Sequence, residues 1–178
     1  MSIETDWVII SGPPSSGKTT LLGLFAEDGE NTIPDAVRAM ITRVVATGRD
    51  AEEFRFSDDF QPMAIAAMHD SERALDPADR CVLEYGSPCN IAFHRTEGRP
   101  VPPELTASSI AFRYHAVFIL DPVGWKRDDQ RVENAAYQAA VHRHMWDVYR
   151  ELGYDPIRLP AVSPKARHGA ARQALSYL

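Results

Sequence analysis

The sequence predicts an α/β protein built on a parallel sheet with helices on both faces. Three observations carry this. Short apolar runs suited to strands alternate with longer segments of helical periodicity along the chain. The run Ala116-Val117-Phe118-Ile119-Leu120 is continuously apolar, as a strand covered on both faces must be. Finally, Gly12-Pro13-Pro14-Ser15-Ser16-Gly17-Lys18-Thr19 stands between an apolar strand and a helical segment, the setting of a phosphate-binding loop.

The first strand is expected at Trp7–Ser11, and the helix after the loop at about residues 17–27, stopped by Asp28-Gly29. A short strand at Asn31–Ile33 precedes a helix over residues 34–45, where Pro34 sits near the start and Val37, Met40, Ile41, Val44 and Val45 form one apolar face. Residues 50–60 mix charges with phenylalanines and read as a loop. Ser57 is the expected cap of a helix over residues 58–75, which Asp76-Pro77 breaks. Residues 81–85 read as a buried strand ended by Gly86-Ser87-Pro88, with a helix over residues 88–95. Arg99-Pro100-Val101-Pro102-Pro103 is the strongest loop signal, and residues 104–113 read as helical. After the apolar strand closed by Asp121-Pro122 come a polar stretch, a long helix over residues 132–152 stopped by Gly153, and a last strand near residues 156–159. Ser163 caps a final helix with Pro164 at its first position.

Composition sets the class. With 178 residues, 44% hydrophobic and 25% charged, the chain reads as one globular domain over residues 1–178. A net charge of -6 argues against a dedicated nucleic-acid binder, because counterion release needs a basic surface. Cys81 and Cys89 read as reduced thiols, and the apolar run near the N-terminus is too short for a signal or a membrane span. A cytoplasmic protein is therefore expected. The six histidines show no metal-ligand spacing.

The loop carries the chemistry. Gly12 and Gly17 permit positive φ and close backbone approach, so that N–H groups of Pro13-Pro14-Ser15-Ser16-Gly17-Lys18-Thr19-Thr20 and its helix can face a polyphosphate where the chain has them. Lys18 would reach the β/γ-phosphates and Thr19 would hold Mg²⁺. The site also needs an acidic residue at a neighbouring strand end. Both Glu84 and Asp121 qualify, and pattern alone does not choose between them. Arg127 and Arg131 lie in a polar stretch before the long helix, where guanidinium groups can close over a triphosphate as a lid of about residues 122–132. Asp35 and Arg38 fall at the second strand's end, where an acceptor could bind. Arg167, near the last helix start, is placed to stack on an adenine.

Several segments together resemble the AAA-type P-loop ATPase domain, in particular the nicotinamide riboside kinase domain of NadR. They are the loop through Thr20, Pro34-Asp35-Ala36-Val37-Arg38 (similar to P-E-A-x-R) and Tyr114-His115-Ala116-Val117-Phe118-Ile119-Leu120 (similar to Y-D-x-V-F-x-L). Lys126-Arg127-Asp128-Asp129-Gln130-Arg131-Val132-Glu133 is similar to D-x-x-R-x-E, Tyr149-Arg150-Glu151-Leu152-Gly153-Tyr154 to Y-x-x-L-G-Y, and Ser163-Pro164-Lys165-Ala166-Arg167 to S-x-x-x-R. The resemblance implies a three-layer nucleoside-kinase-like fold of strand order 2-3-1-4-5, with ATP and Mg²⁺ as cofactors. Where the family's third strand ends in D-R-G, this chain has Glu84-Tyr85-Gly86. That exchange keeps the charge but removes a phosphate-binding arginine.

The expected activity is transfer of the γ-phosphoryl group of ATP to a hydroxyl of a small-molecule acceptor. The alternatives are an ATPase or nucleotide switch signalling through residues 50–60, and a family member that keeps the fold without catalysis.

Overall fold

The computed structural model describes residues 2–123 and 135–178. In chain order its elements are β1 (Ile3–Glu4), β2 (Trp7–Ser11), α1 (Lys18–Glu27), β3 (Asn31–Ile33), α2 (Ala36–Ala46), α3 (Ala51–Arg55), α4 (Phe60–Arg73), β4 (Cys81–Glu84), α5 (Pro88–Thr96), α6 (Pro103–Ser109), β5 (Phe112–Arg113), β6 (Ala116–Leu120), α7 (Ala135–Glu151), β7 (Ile157–Leu159) and α8 (Pro164–Leu175). Five strands make one parallel sheet in the order β3-β4-β2-β6-β7. In terms of those five strands this is 2-3-1-4-5, as the resemblance implies.

Alternation along each strand builds the two cores, because successive side chains leave a strand on opposite faces. Trp7, Ile9, Leu83, Val117 and Ile119 point to one face, where Val141, Met145, Val148 and Tyr149 of α7 cover them. Val8, Ile10, Val82, Phe118 and Leu120 point to the other, against Leu21, Leu22 and Phe25 of α1 and Ala171 of α8. A third cluster of Met40, Phe54 and Ala64 ties α2, α3 and α4 together beside the sheet.

Strand register positions the site. Ile10 of β2 is opposite Glu84 of β4 and Phe118 of β6, so these strands end at one edge. The loop after β2, the last residue of β4 and Asp121 after β6 therefore meet there, as ligand sites do in open parallel sheets.

Three local expectations need correction. Residues 50–60 are not a loop throughout: Asp50 accepts hydrogen bonds from the amides of Glu52 and Glu53, both at 2.9 Å, and starts α3, whose Phe54 is fully buried. Ser57 does not cap the following helix. Its hydroxyl donates to Phe54 O at 2.7 Å, and Asp59 takes the cap position of α4 without a side-chain bond. The helical reading of residues 104–113 holds only for α6, after which β5 runs parallel to β1 and makes a small second sheet. The tertiary pairing of Phe112 with Ile3 decides that segment, and no local pattern reports it. The expected start of the long helix lies outside the described residues.

Candidate active site

The loop's shape follows from its glycines. Gly12 has φ 147°, and a Cβ there would meet Ser16 Oγ at 2.8 Å and Leu120 O at 2.9 Å. Gly17 has φ 85° and starts α1, whose first residues are Lys18 and Thr19. Ser15 also lies in the left-handed region, at φ 60°. The helix thus begins at the loop and directs its N-terminal N–H groups there.

Lys18 folds back over this loop. Its Nζ donates to Pro13 O at 2.9 Å and sits 4.5 Å from the centre of the Tyr85 ring. Thr19 Oγ1 donates to both carboxylate oxygens of Glu84, at 2.9 and 3.1 Å. Glu84 is 5% exposed. Burial pushes its carboxyl above the usual range, while the Lys18 charge, the Thr19 hydrogen bond and Arg38 draw it back. The hydroxyl and the carboxylate are hard oxygen donors side by side, a set that suits Mg²⁺ completed by water and phosphate oxygens. Among the described residues no group of three or more His, Cys, Asp or Glu could hold a metal alone.

Asp121, the other acidic candidate, has different partners. Its carboxylate accepts from Arg158 Nε at 3.1 and 2.9 Å and pairs with Arg158 Nη2 at 2.7 Å. It does not line the cavity described below. Arg167 is 3% exposed and donates to Pro160 O, Ser16 O and Asp121 O, which makes it a brace beneath the loop. Arg127 and Arg131 lie outside the described residues.

A cavity of about 740 Å³ opens in front of Thr19 and Glu84. Its lining includes Pro14, Ser15, Gly17, Lys18 and Thr20 from the loop side and both Asp35 and Arg38 from the start of α2. Asp35 caps α2, accepting from Val37 N at 2.9 Å and Arg38 N at 3.1 Å. The cap fixes the turn that aims this helix start at Glu84, whose titration feels both residues. Phe60, Met68 and Phe93 give the cavity an apolar wall. Its size is that of a small-molecule site.

Sequence reasoning missed four contributors. Tyr85, read as the loss of an arginine, holds φ 68° and donates its hydroxyl to Gly12 O at 3.1 Å, clasping the loop under Lys18. A non-glycine residue held at that φ is strained, and strain of this kind gathers at functional sites. Its position between a strand-end carboxylate and Gly86 was the available signal. Glu72 of α4 is fully buried and accepts from Ser87 N at 2.8 Å, Ser87 Oγ at 2.6 Å and the Tyr114 hydroxyl at 2.6 Å, fixing the turn after Glu84. Gln138 of α7 donates to Pro14 O at 2.6 Å. Asn90 of α5 lines the cavity. No sequence signal marks these last three, because each depends on which elements pack together.

This geometry matches known P-loop kinase folds. Thymidylate kinase from Candida albicans aligns over 99% of this chain and 93% of its own, with a TM-score of 0.69 and 13% identity. Deoxyadenosine kinase from M. mycoides with bound dCTP aligns over 97% of this chain and 100% of its own, at a TM-score of 0.62 and 10% identity. NadR protein in complex with NR gives a TM-score of 0.69 and 16% identity over 96% of this chain, which spans about half of it (48%). At such identities the likeness is one of fold. No curated protein matches the chain in sequence. The model of a family described as an AAA domain matches residues 7–167. That match runs from the first residue of β2 to the arginine beneath the loop, taking in every site residue described above, and the chain belongs to this AAA domain family.

Proposed function

We propose that the chain is an ATP- and Mg²⁺-dependent kinase that transfers the γ-phosphoryl group to a hydroxyl of a small-molecule acceptor. The observation that carries this reading is the Thr19–Glu84 hydrogen bond in the wall of a cavity of about 740 Å³. It brings a metal-binding hydroxyl and a buried base to one point, with room for a second molecule beside them. A switch that only hydrolyses its nucleotide has no need of that second space. The kinase folds that align with the chain support the reading.

In this proposal Lys18 and the loop amides hold the phosphates, Thr19 holds the metal, and Glu84 reaches the metal through a bound water. Mg²⁺, when bound, supplies charge neutralisation on the phosphate oxygens. Glu84 takes the proton from the acceptor hydroxyl, and Asp35 and Arg38 orient the acceptor. Arg167 supports the nucleotide site by holding Ser16 O from below. Arg127 and Arg131 close over the triphosphate as part of a lid of about residues 122–132. Asp121 is the second candidate for the metal shell, with its pairing to Arg158 as the competing contact. The same reading takes residues 1–178 as one catalytic domain in the cytoplasm, where Cys81 and Cys89, both free, stay reduced.

Lys18→Ala tests the nucleotide half directly. Calorimetric titration with ATP and Mg²⁺ should show binding lost, and affinity equal to the wild type would overturn the proposal.

A further inference from the structure

We infer that Tyr85 is a positioning residue for ATP: the face of its ring holds the Lys18 ammonium at the loop before the nucleotide arrives. This rests on the kinase reading above.

The first half of the loop offers a polyphosphate few amides. Pro13 and Pro14 have no N–H, and the Ser16 N–H turns back to Pro13 O at 3.3 Å. The attraction for phosphate at that end therefore depends on the Lys18 charge and on where the ammonium rests. A lysine stem is long and flexible, and ordering it at the moment of binding would cost entropy. Here it is ordered in advance. Nζ stands over the Tyr85 ring, 4.5 Å from its centre, and donates to Pro13 O at 2.9 Å, so ring and carbonyl together hold the ammonium against the loop. A ring face attracts a cation most strongly where water is excluded, and both side chains are buried.

Tyr85 is itself held from three directions, which makes its ring a fixed surface. Its N–H donates to Ile10 O at 3.0 Å and extends the pairing of β2 with β4 by one residue. Its ring meets Phe93 edge-on, with centres 5.9 Å apart and planes at 71°. Its hydroxyl donates to Gly12 O at 3.1 Å. That carbonyl precedes Pro13, so the bond occupies a peptide unit with no N–H to offer a phosphate. The backbone points the same way. Glycine adopts φ 68° without strain and tyrosine does not, so what the side chain adds at this position is its contacts with Lys18 and the loop.

The test is calorimetric titration of the full chain with ATP and Mg²⁺ while the charge on the ring face is reduced by steps. Tyr85→Phe is the reference, and monofluoro-, trifluoro- and pentafluorophenylalanine incorporated at the same position withdraw electrons from the face with little change of shape. ATP affinity should fall at each step, on the order of 10-fold from phenylalanine to the pentafluoro ring. Tyr85→Leu, which has no ring face, should fall at least as far. A ring that only fills space predicts no such slope, because fluorination leaves its packing nearly unchanged. Equal affinity along the series, or tighter binding as the face loses charge, would overturn the inference. Thermal unfolding without ATP shows which variants fold, and the fluorinated series decides the matter if Tyr85→Leu does not. ATP titration of the wild-type chain separates the two levels: binding by the wild type with no slope confines the failure to Tyr85, whereas absent binding overturns the kinase reading and this inference together.

Discussion

Glu84 shows how one side chain acquires a role from its surroundings. At a strand end in isolation it is an ordinary carboxylate. Here burial raises its pKa while Lys18, Thr19 and Arg38 keep the charged form within reach. A base must be deprotonated to accept a proton, so activity is lost as pH falls through this raised pKa. The acid limb of the kcat/KM profile, which reports the enzyme before ATP and Mg²⁺ bind, should thus lie above the ordinary glutamate value of about 4.3. Glu84→Gln should remove that limb and lower kcat by roughly 10²- to 10⁴-fold, with ATP affinity less affected. A pH profile of the Gln variant that keeps the wild-type limb would assign the titration to another group. Tyr85, beside it, carries the cost of φ 68° in exchange for a ring under Lys18 and a hydroxyl on Gly12 O.

Among the elements, α4 does more than cover the sheet edge. Its Glu72 reaches across to the β4–α5 turn, which holds Tyr85 and joins Glu84 at the end of β4 to Asn90 in α5. Gly86 must be small, because a Cβ there would meet the Tyr114 hydroxyl at 2.7 Å, the same hydroxyl that donates to Glu72. Glu72→Ala leaves the Ser87 amide and two hydroxyls without their buried acceptor and should cost about 2–4 kcal/mol in denaturant unfolding. The sign of the pH effect follows from burial, which raises the Glu72 pKa despite its three donors. A folded pKa above the unfolded one contributes stability at low pH that is lost as pH rises through the folded value. Glu72→Gln should flatten the stability curve in that window, and unfolding measured across pH would show a curve parallel to the wild type if Glu72 were not its source.

For the molecule as a whole, the loop, α1 and the strand ends form a binding edge that exists only in the folded sheet. A ligand held there stabilises the fold by mass action. ATP at about 100 times its Kd should add about 2.7 kcal/mol and raise Tm by roughly 5–10 °C. Lys18→Ala should erase the shift while leaving the ligand-free Tm close to the wild type, as a thermal-unfolding series with increasing ATP would show. No described helix is long and apolar enough to cross a membrane. The two strands on either side of β2 end in register at the sheet edge that carries the loop.

The sequence by itself determined the loop, the parallel α/β class and helix limits that follow from Gly, Pro and capping residues, such as Ser163 and Gly153. Such signals are local, because φ preferences, caps and hydrophobic periodicity act within a few residues. It also brought Glu84 and Asp121 forward together without separating them. The tertiary structure separated their surroundings: Thr19 lies against one, and Arg158, from the neighbouring strand, against the other. It likewise decided that Phe112 joins β1, that Glu72 braces the turn from 15 residues away in sequence, and that Arg167 lies under Ser16. Each of these contacts is a pairing between distant segments, and its free energy comes from burial and hydrogen bonds that exist only once the sheet has closed around them.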